Sequence, residues 1–268
     1  MTTALRYHYK RIDTTPTFVF LHGFMGSKKD WEPLVNLLGN SYSSLVIDLP
    51  GHGDSQLESH KVYTMDGSAR LVVDILDELE ISQAVLVGYS MGGRLSLYLA
   101  LYYPQYFTEL ALVSASPGFK ELSDRHARRR RDQNLADKLE SGNFEEFLDK
   151  WYDRPIFASL GLNPGRLEMI KDKRKHNDVR FLAKSLRFMG AGMQQSFWDE
   201  LEKLSMPLCL IVGEKDEKFT RLADEMAKCY QKTRMIVVPN AGHNVHEENP
   251  KGLFDALTST SGEPASVG

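Results

Sequence analysis

Cysteine is scarce in this chain. Two occur in 268 residues, Cys209 inside the apolar run 208–212 and Cys229 in a stretch with helical spacing, and they form no Cys-x-x-Cys or zinc pattern. A disulfide framework is thereby excluded, no metal or other cofactor is expected, and both cysteines read as free thiols of a reducing compartment, so the expected location is the cytoplasm. Long apolar runs are missing too. No segment approaches the roughly 18 to 20 apolar residues of a membrane span, and Met1 to Arg11 holds no apolar signal core, so no membrane insertion is expected. Excess charge of either sign is absent, since the net charge is −3, which removes any global argument for nucleic acid or an anionic membrane as partner. No internal repeat is visible, and only residues 258–268, rich in Ser, Thr, Gly and Pro, have the composition of a disordered tail.

What is present is an ordinary core-forming composition, 42% apolar and 26% charged, over a length that suits one large α/β domain or one with an insertion. Its focus is Gly88-Tyr89-Ser90-Met91-Gly92, preceded by the β-branched run 84–87 and followed by a helical pattern up to Pro104. Strand, tight turn and helix around Gly-x-Ser-x-Gly make a nucleophile elbow, in which the glycines let strand and helix pass closely while the serine is held exposed. Further strands are predicted at 17–21, 44–48, 110–113, 208–212 and 235–238, and helices at 31–38 and 64–79. From 120 to 203 the strand signals vanish and the pattern becomes helical, charged and aromatic. The expected architecture is therefore an α/β core of residues 1–119 and 204–257, mostly parallel, with an inserted helical cap at 120–203 and its ligand site at the carboxyl ends of the strands.

Serine near neutral pH needs a histidine to take its proton and an acid to orient that histidine. Ser90, Asp216 and His243 occur in the order Ser, acid, His, the last two each just past a late strand. His246 competes with His243, and Glu214 and Asp48 compete with Asp216. Two backbone N–H groups, of Phe24 after the first predicted strand and of Met91 after the serine, are placed to receive a developing oxyanion. Arg94 lies one turn along the elbow helix from Ser90, where a guanidinium suits a carboxylate-bearing substrate or a neighbouring carboxylate. In the run 125–131, Arg128 with Arg125 or Arg131 at three-residue spacing can turn a cation toward the same site, the rest being a solvated face.

Together these residues resemble the 2-succinyl-6-hydroxy-2,4-cyclohexadiene-1-carboxylate (SHCHC) synthase family of menaquinone and phylloquinone biosynthesis, a branch of the α/β-hydrolase fold. The likeness runs from about Phe18 to Pro250. It is carried by Gly-Tyr-Ser-Met-Gly-Gly-Arg at 88–94, Ser-Pro-Gly at 116–118 before the arginine-rich helix, Trp-Tyr-x-x-Pro-x-Phe at 151–157, Gly-Glu-x-Asp-x-Lys-Phe at 213–219 and His-Asn-x-His-x-Glu-Asn-Pro at 243–250. The resemblance implies a lyase that expels pyruvate from a small tricarboxylate substrate, with the serine acting as a base. It also implies that Ser90, Asp216 and His243 form the triad, and that Tyr89, Arg94, Arg128, Trp151 and Arg174 bind substrate, with Lys173 and Lys175 as rivals to Arg174. Phe157 and Phe24 would line the apolar part of the pocket. An ester or carbon–carbon bond hydrolase using the same triad, and a non-catalytic receptor, are the competing readings.

Overall fold

The computed structural model describes residues 4–12 and 16–259. Seven strands form one sheet: β1 (Tyr7–Lys10), β2 (Thr17–Leu21), β3 (Ser43–Ile47), β4 (Ala84–Tyr89), β5 (Phe107–Val113), β6 (Leu208–Gly213) and β7 (Thr233–Val238), in the order β1-β3-β2-β4-β5-β6-β7. Only β1 is antiparallel to its neighbour; every other pairing is parallel. Strands β2, β3, β4 and β6 are buried along their whole length, as apolar runs covered on both faces must be. The two faces carry separate apolar cores, one under Leu21, Leu86 and Leu95 and one under Phe20, Trp31 and Val87.

Helices α1 (Glu32–Leu38), α2 (Met65–Glu78) and α3 (Met91–Tyr102) complete the first crossovers. Between β5 and β6 the chain leaves the sheet for a helical insert: α4 (Leu122–Ser141), α5 (Phe144–Tyr152), α6 (Ala158–Gly161), α7 (Pro164–Lys175) and α8 (Val179–Met189). The insert has a small core of its own, in which Leu139, Phe147, Tyr152 and Leu186 pack with Met25 from the loop after β2. Helix α9 (Glu217–Ala227) follows β6, and α10 (Val245–Glu248) and α11 (Pro250–Thr258) follow β7. No helix among the described residues is long and apolar enough to cross a membrane. Of the tail expected from 258 onward, Thr258 closes α11 and residues 260–268 lie outside the described residues.

The predicted strands are all present, and two begin earlier than their apolar runs. β5 starts at Phe107, ahead of polar Thr108 and Glu109, and β7 starts at Thr233 because it is the sheet's edge and only half-buried. Strand β1 was not expected. Its alternating aromatic and basic residues sit half-exposed at the other edge, where an apolar run is not required.

Candidate active site

The carboxyl ends of β4, β6 and β7 bring three side chains together. Ser90 follows β4 at φ 48°, a left-handed conformation that non-glycine residues avoid, and it is held there by its N–H donating to Val113 O at 2.9 Å and by helix α3 starting at the next residue. The flanking glycines are a steric requirement: a Cβ on Gly88 would collide with Ser96 Oγ and the Gly92 carbonyl, and one on Gly92 with the carbonyls of Leu21 and His22. Asp216 caps α9, with Oδ1 accepting the N–H of Phe219 at 3.2 Å. Its Oδ2 thus remains for His243 Nδ1 at 2.7 Å, while His243 Nε2 stands 3.3 Å from Ser90 Oγ. The loops bearing acid and imidazole are tied by Lys215 N–H donating to Ala241 O at 2.8 Å. This pairing puts the imidazole proton on Nδ1 and leaves Nε2 to accept from the serine hydroxyl, which is the arrangement that makes a hydroxyl basic. The 3.3 Å separation is at the loose end for such a pair without substrate.

The rival carboxylates are occupied elsewhere. Asp48 Oδ1 accepts the Lys28 N–H and its Oδ2 pairs with Lys28 Nζ at 2.5 Å, holding the loops after β2 and β3 together. Glu214 accepts the N–H of Asn240. His246 is buried with neither ring nitrogen hydrogen-bonded among the described residues, 4.3 Å ring to ring from Tyr89, and burial pushes its pKa down to about 3.

The loop carrying Phe24 is fixed by His22. Leu49 N–H donates to its Nε2 at 3.0 Å, so Nδ1 bears the proton and donates to Gly23 O at 2.7 Å. Burial lowers the pKa of His22, which keeps this one neutral tautomer in place. Neither the Phe24 nor the Met91 N–H has an acceptor among the described residues.

Over these atoms lies a cavity of about 790 Å³, lined by Ser90, Met91, His243, Phe24, Trp151 and Phe157 together with Arg94, Arg128, Arg131 and Arg154. Arg94 is 8% exposed; one Nη donates to Met189 O at 2.8 Å and the other has no partner among the described residues. Burial first, and then the charge of Arg128, push its pKa down to about 10. Arg128 is held by Asp132 through Nε at 2.7 Å, and of the arginine run it and Arg131 line the cavity. Arg125 instead donates to the carbonyls of Gly192 and Met193.

Residues 16–250 match the α/β hydrolase fold family. A Photorhabdus laumondii protein named 2-succinyl-6-hydroxy-2,4-cyclohexadiene-1-carboxylate synthase is 36% identical over 87% of this chain and 81% of its own. A Salmonella typhimurium protein of the same name is 34% identical over 91% of this chain and 92% of its own. Among solved structures, MenH from S. aureus is similar at a TM-score of 0.89 and 30% identity, over 96% of this chain and 97% of that one. This chain belongs to the SHCHC synthase family.

Of the pocket positions that the likeness to SHCHC synthases suggested, Arg94, Arg128, Trp151, Phe157 and Phe24 line the cavity, as does Met91, expected from the elbow as an oxyanion donor. Tyr89 does not; it lies beneath, its OH donating to Asn244 Oδ1 at 2.5 Å and its ring 5.4 Å from that of His243. Arg174 does not line it either. It is 3% exposed and bound to Asp30 at 2.6 Å and Tyr152 OH at 3.2 Å, and these partners hold its pKa well above the usual range against the cost of burial. Its rivals are paired as well, Lys173 with Glu247 and Lys175 with Glu145 and Asp172. The sequence reading missed Arg154. It occupies a variable position of the Trp-Tyr-x-x-Pro-x-Phe motif, three residues after Trp151, and that spacing on a chain turning out of α5 was the available signal.

Proposed function

We propose that this protein is an SHCHC synthase, a carbon–oxygen lyase that eliminates pyruvate from 2-succinyl-5-enolpyruvyl-6-hydroxy-3-cyclohexene-1-carboxylate. One observation carries the reading: a Ser90–His243–Asp216 hydrogen-bonded chain opens into a cavity in which Arg94 keeps a buried guanidinium nitrogen without a partner among the described residues. The substrate carries three carboxylates, and a desolvated cation in such a cavity binds an anion far more strongly than water would allow.

In this mechanism Ser90 passes its proton to His243 Nε2 as its oxygen removes the ring proton next to the succinyl ketone. Asp216 stabilises the imidazolium formed at Nδ1–H. The electron pair collects on the ketone oxygen, which the N–H groups of Phe24 and Met91 receive. It then returns through the ring, forms the conjugated double bond and breaks the bond to the enolpyruvyl oxygen. The leaving enolate takes the proton held on His243 Nε2 and becomes pyruvate, which restores the neutral imidazole beside a Ser90 hydroxyl, so atoms balance without water or a covalent intermediate. Residues 120–203 act as the cap that supplies Arg128 and Trp151 and shields the reaction from solvent. Free Cys209 and Cys229, the latter exposed, suit a cytoplasmic enzyme.

The test is incubation with the enolpyruvyl substrate, following pyruvate by a coupled dehydrogenase and the conjugated diene by its absorbance. Equal yields of the two support the reading. A rapid burst of leaving group from activated acyl esters, with no pyruvate from the substrate, would replace it by hydrolysis.

A further inference from the structure

We propose that Arg154 is a third carboxylate-binding residue of this cavity, gripping the substrate together with Arg128, whereas Arg174 is a strut of the fold. The inference deepens the lyase reading and rests on it. Arg154 lines the same cavity as Ser90, Arg94 and Arg128. Its guanidinium carbon lies 3.9 Å above the Trp151 ring, and that ring is in turn backed by Phe24 at 5.1 Å and Phe147 at 5.8 Å. Stacking uses the flat face of a guanidinium and leaves its in-plane N–H donors free, so the side chain is ordered in advance without being occupied.

No carboxylate or other acceptor among the described residues takes up those donors. An arginine with a purely structural task is expected to have such acceptors, as Arg174 does in Asp30 and Tyr152. The local charge balance points the same way. Arg94 and Arg154 both feel the repulsion of Arg128, and Asp132 is the one carboxylate whose attraction both of them feel. Three cations against one anion is a standing cost that a bound polycarboxylate would remove. The other cavity cations are less available: Lys120 is tied to Glu225 at 2.6 Å, and Arg131 and Lys218 are exposed to solvent.

The experiment compares wild type with Arg154→Gln and Arg154→Lys in two assays. One is pyruvate release from the enolpyruvyl substrate. The other is calorimetric binding of propane-1,2,3-tricarboxylate, which requires no turnover. Arg154→Gln is expected to raise both KM and the tricarboxylate Kd by about ten- to a hundredfold, with kcat changed less than about threefold and Tm unaltered. Arg154→Lys should recover only part of the loss, because an ammonium neither lies flat on Trp151 nor offers two parallel donors. Unchanged KM and Kd in Arg154→Gln would overturn the proposal. So would a fall in Tm and kcat with KM intact, the signature of a packing role. Arg154-dependent tricarboxylate binding by a wild type that releases no pyruvate would sink the lyase reading while supporting this assignment.

Discussion

Arg94 and Arg174 are 8% and 3% exposed, so both are arginines taken almost wholly out of water, yet their surroundings are opposite. Around Arg174 the protein supplies its own counter-charge, the Asp30 carboxylate at 2.6 Å, and the guanidinium becomes harder to deprotonate than usual. Around Arg94 it supplies one backbone carbonyl, and burial together with the repulsion of Arg128 outweighs the attraction of Asp132, so the guanidinium becomes easier to deprotonate. A buried cation that is satisfied internally holds the structure together; one left unsatisfied is a preformed half of a complex. The closed cluster behind the pocket and the open cluster facing Ser90 should therefore respond differently to the same kind of mutation.

The largest effect is expected where the open cluster meets the reacting atom. Ser90→Ala should lower kcat/KM for pyruvate release by about a thousandfold or more. The tricarboxylate Kd should stay unchanged, because the hydroxyl acts on the proton and the arginines on the carboxylates. A comparable loss of binding would show that Ser90 is part of the anion site and would blur the distinction. Next comes Arg94→Met, expected to cost about ten- to a hundredfold in kcat/KM. Thermal unfolding should show a Tm equal to or above that of wild type, since an unpaired desolvated charge is being removed.

The mirror experiment is Asp30→Ala in the closed cluster. Leaving Arg174 buried without its anion should destabilise the fold by about 3–5 kcal/mol, read from denaturant unfolding. Turnover of the molecules that remain folded should change far less than in Arg94→Met. If instead Asp30→Ala abolished turnover at full stability, Arg174 would have to be returned to the substrate site. Acid titration adds a sharper version. Burial pushes the Asp30 carboxyl up, but Arg174 more than reverses this and holds it below the ordinary range. A folded pKa lower than the unfolded one, about 4, gives stability that is complete above that pH and is lost as pH falls through the folded value. Asp30→Asn should therefore lose less stability than wild type between neutral pH and the acid limb. Parallel acid limbs would mean that the carboxyl is not held low.

Much of the open site was readable in the chain because its parts are local. Gly88 to Gly92, the apolar run before them and the helix after them lie within twenty residues, and the strand ends before Asp216 and His243 are marked by apolar runs stopping at turns. The closed cluster was not readable, because its decisive pair joins residues 144 positions apart and nothing near Arg174 in sequence announces Asp30. The resemblance implied that Arg174 binds substrate; in the fold its guanidinium pairs with a carboxylate of its own chain. Tyr89 illustrates the same limit, since adjacency to Ser90 on a strand end says nothing of whether the ring points into the cavity or, as here, down onto Asn244. Arg154 escaped notice for the converse reason: its spacing from Trp151 hints at the stacking, but the lack of an anion around it is not a sequence pattern.

The smallest effect is expected at the rim, where the comparison should fade. Arg131 shares the helix and the cavity with Arg128 but is exposed, whereas Arg128 is partly buried and braced by Asp132. A solvated guanidinium attracts an anionic substrate only through a high dielectric and across a screening ionic atmosphere. Arg131→Ala should therefore change kcat/KM by less than about threefold at low salt and by nothing measurable near 0.5 M salt, where the screening length falls to about 4 Å. Arg128→Gln should retain most of its larger loss at that salt. A rim variant as damaging and as salt-insensitive as Arg128→Gln would mean that the insert closes over Arg131 when substrate binds, and that the open cluster includes four arginines where three are assigned to it.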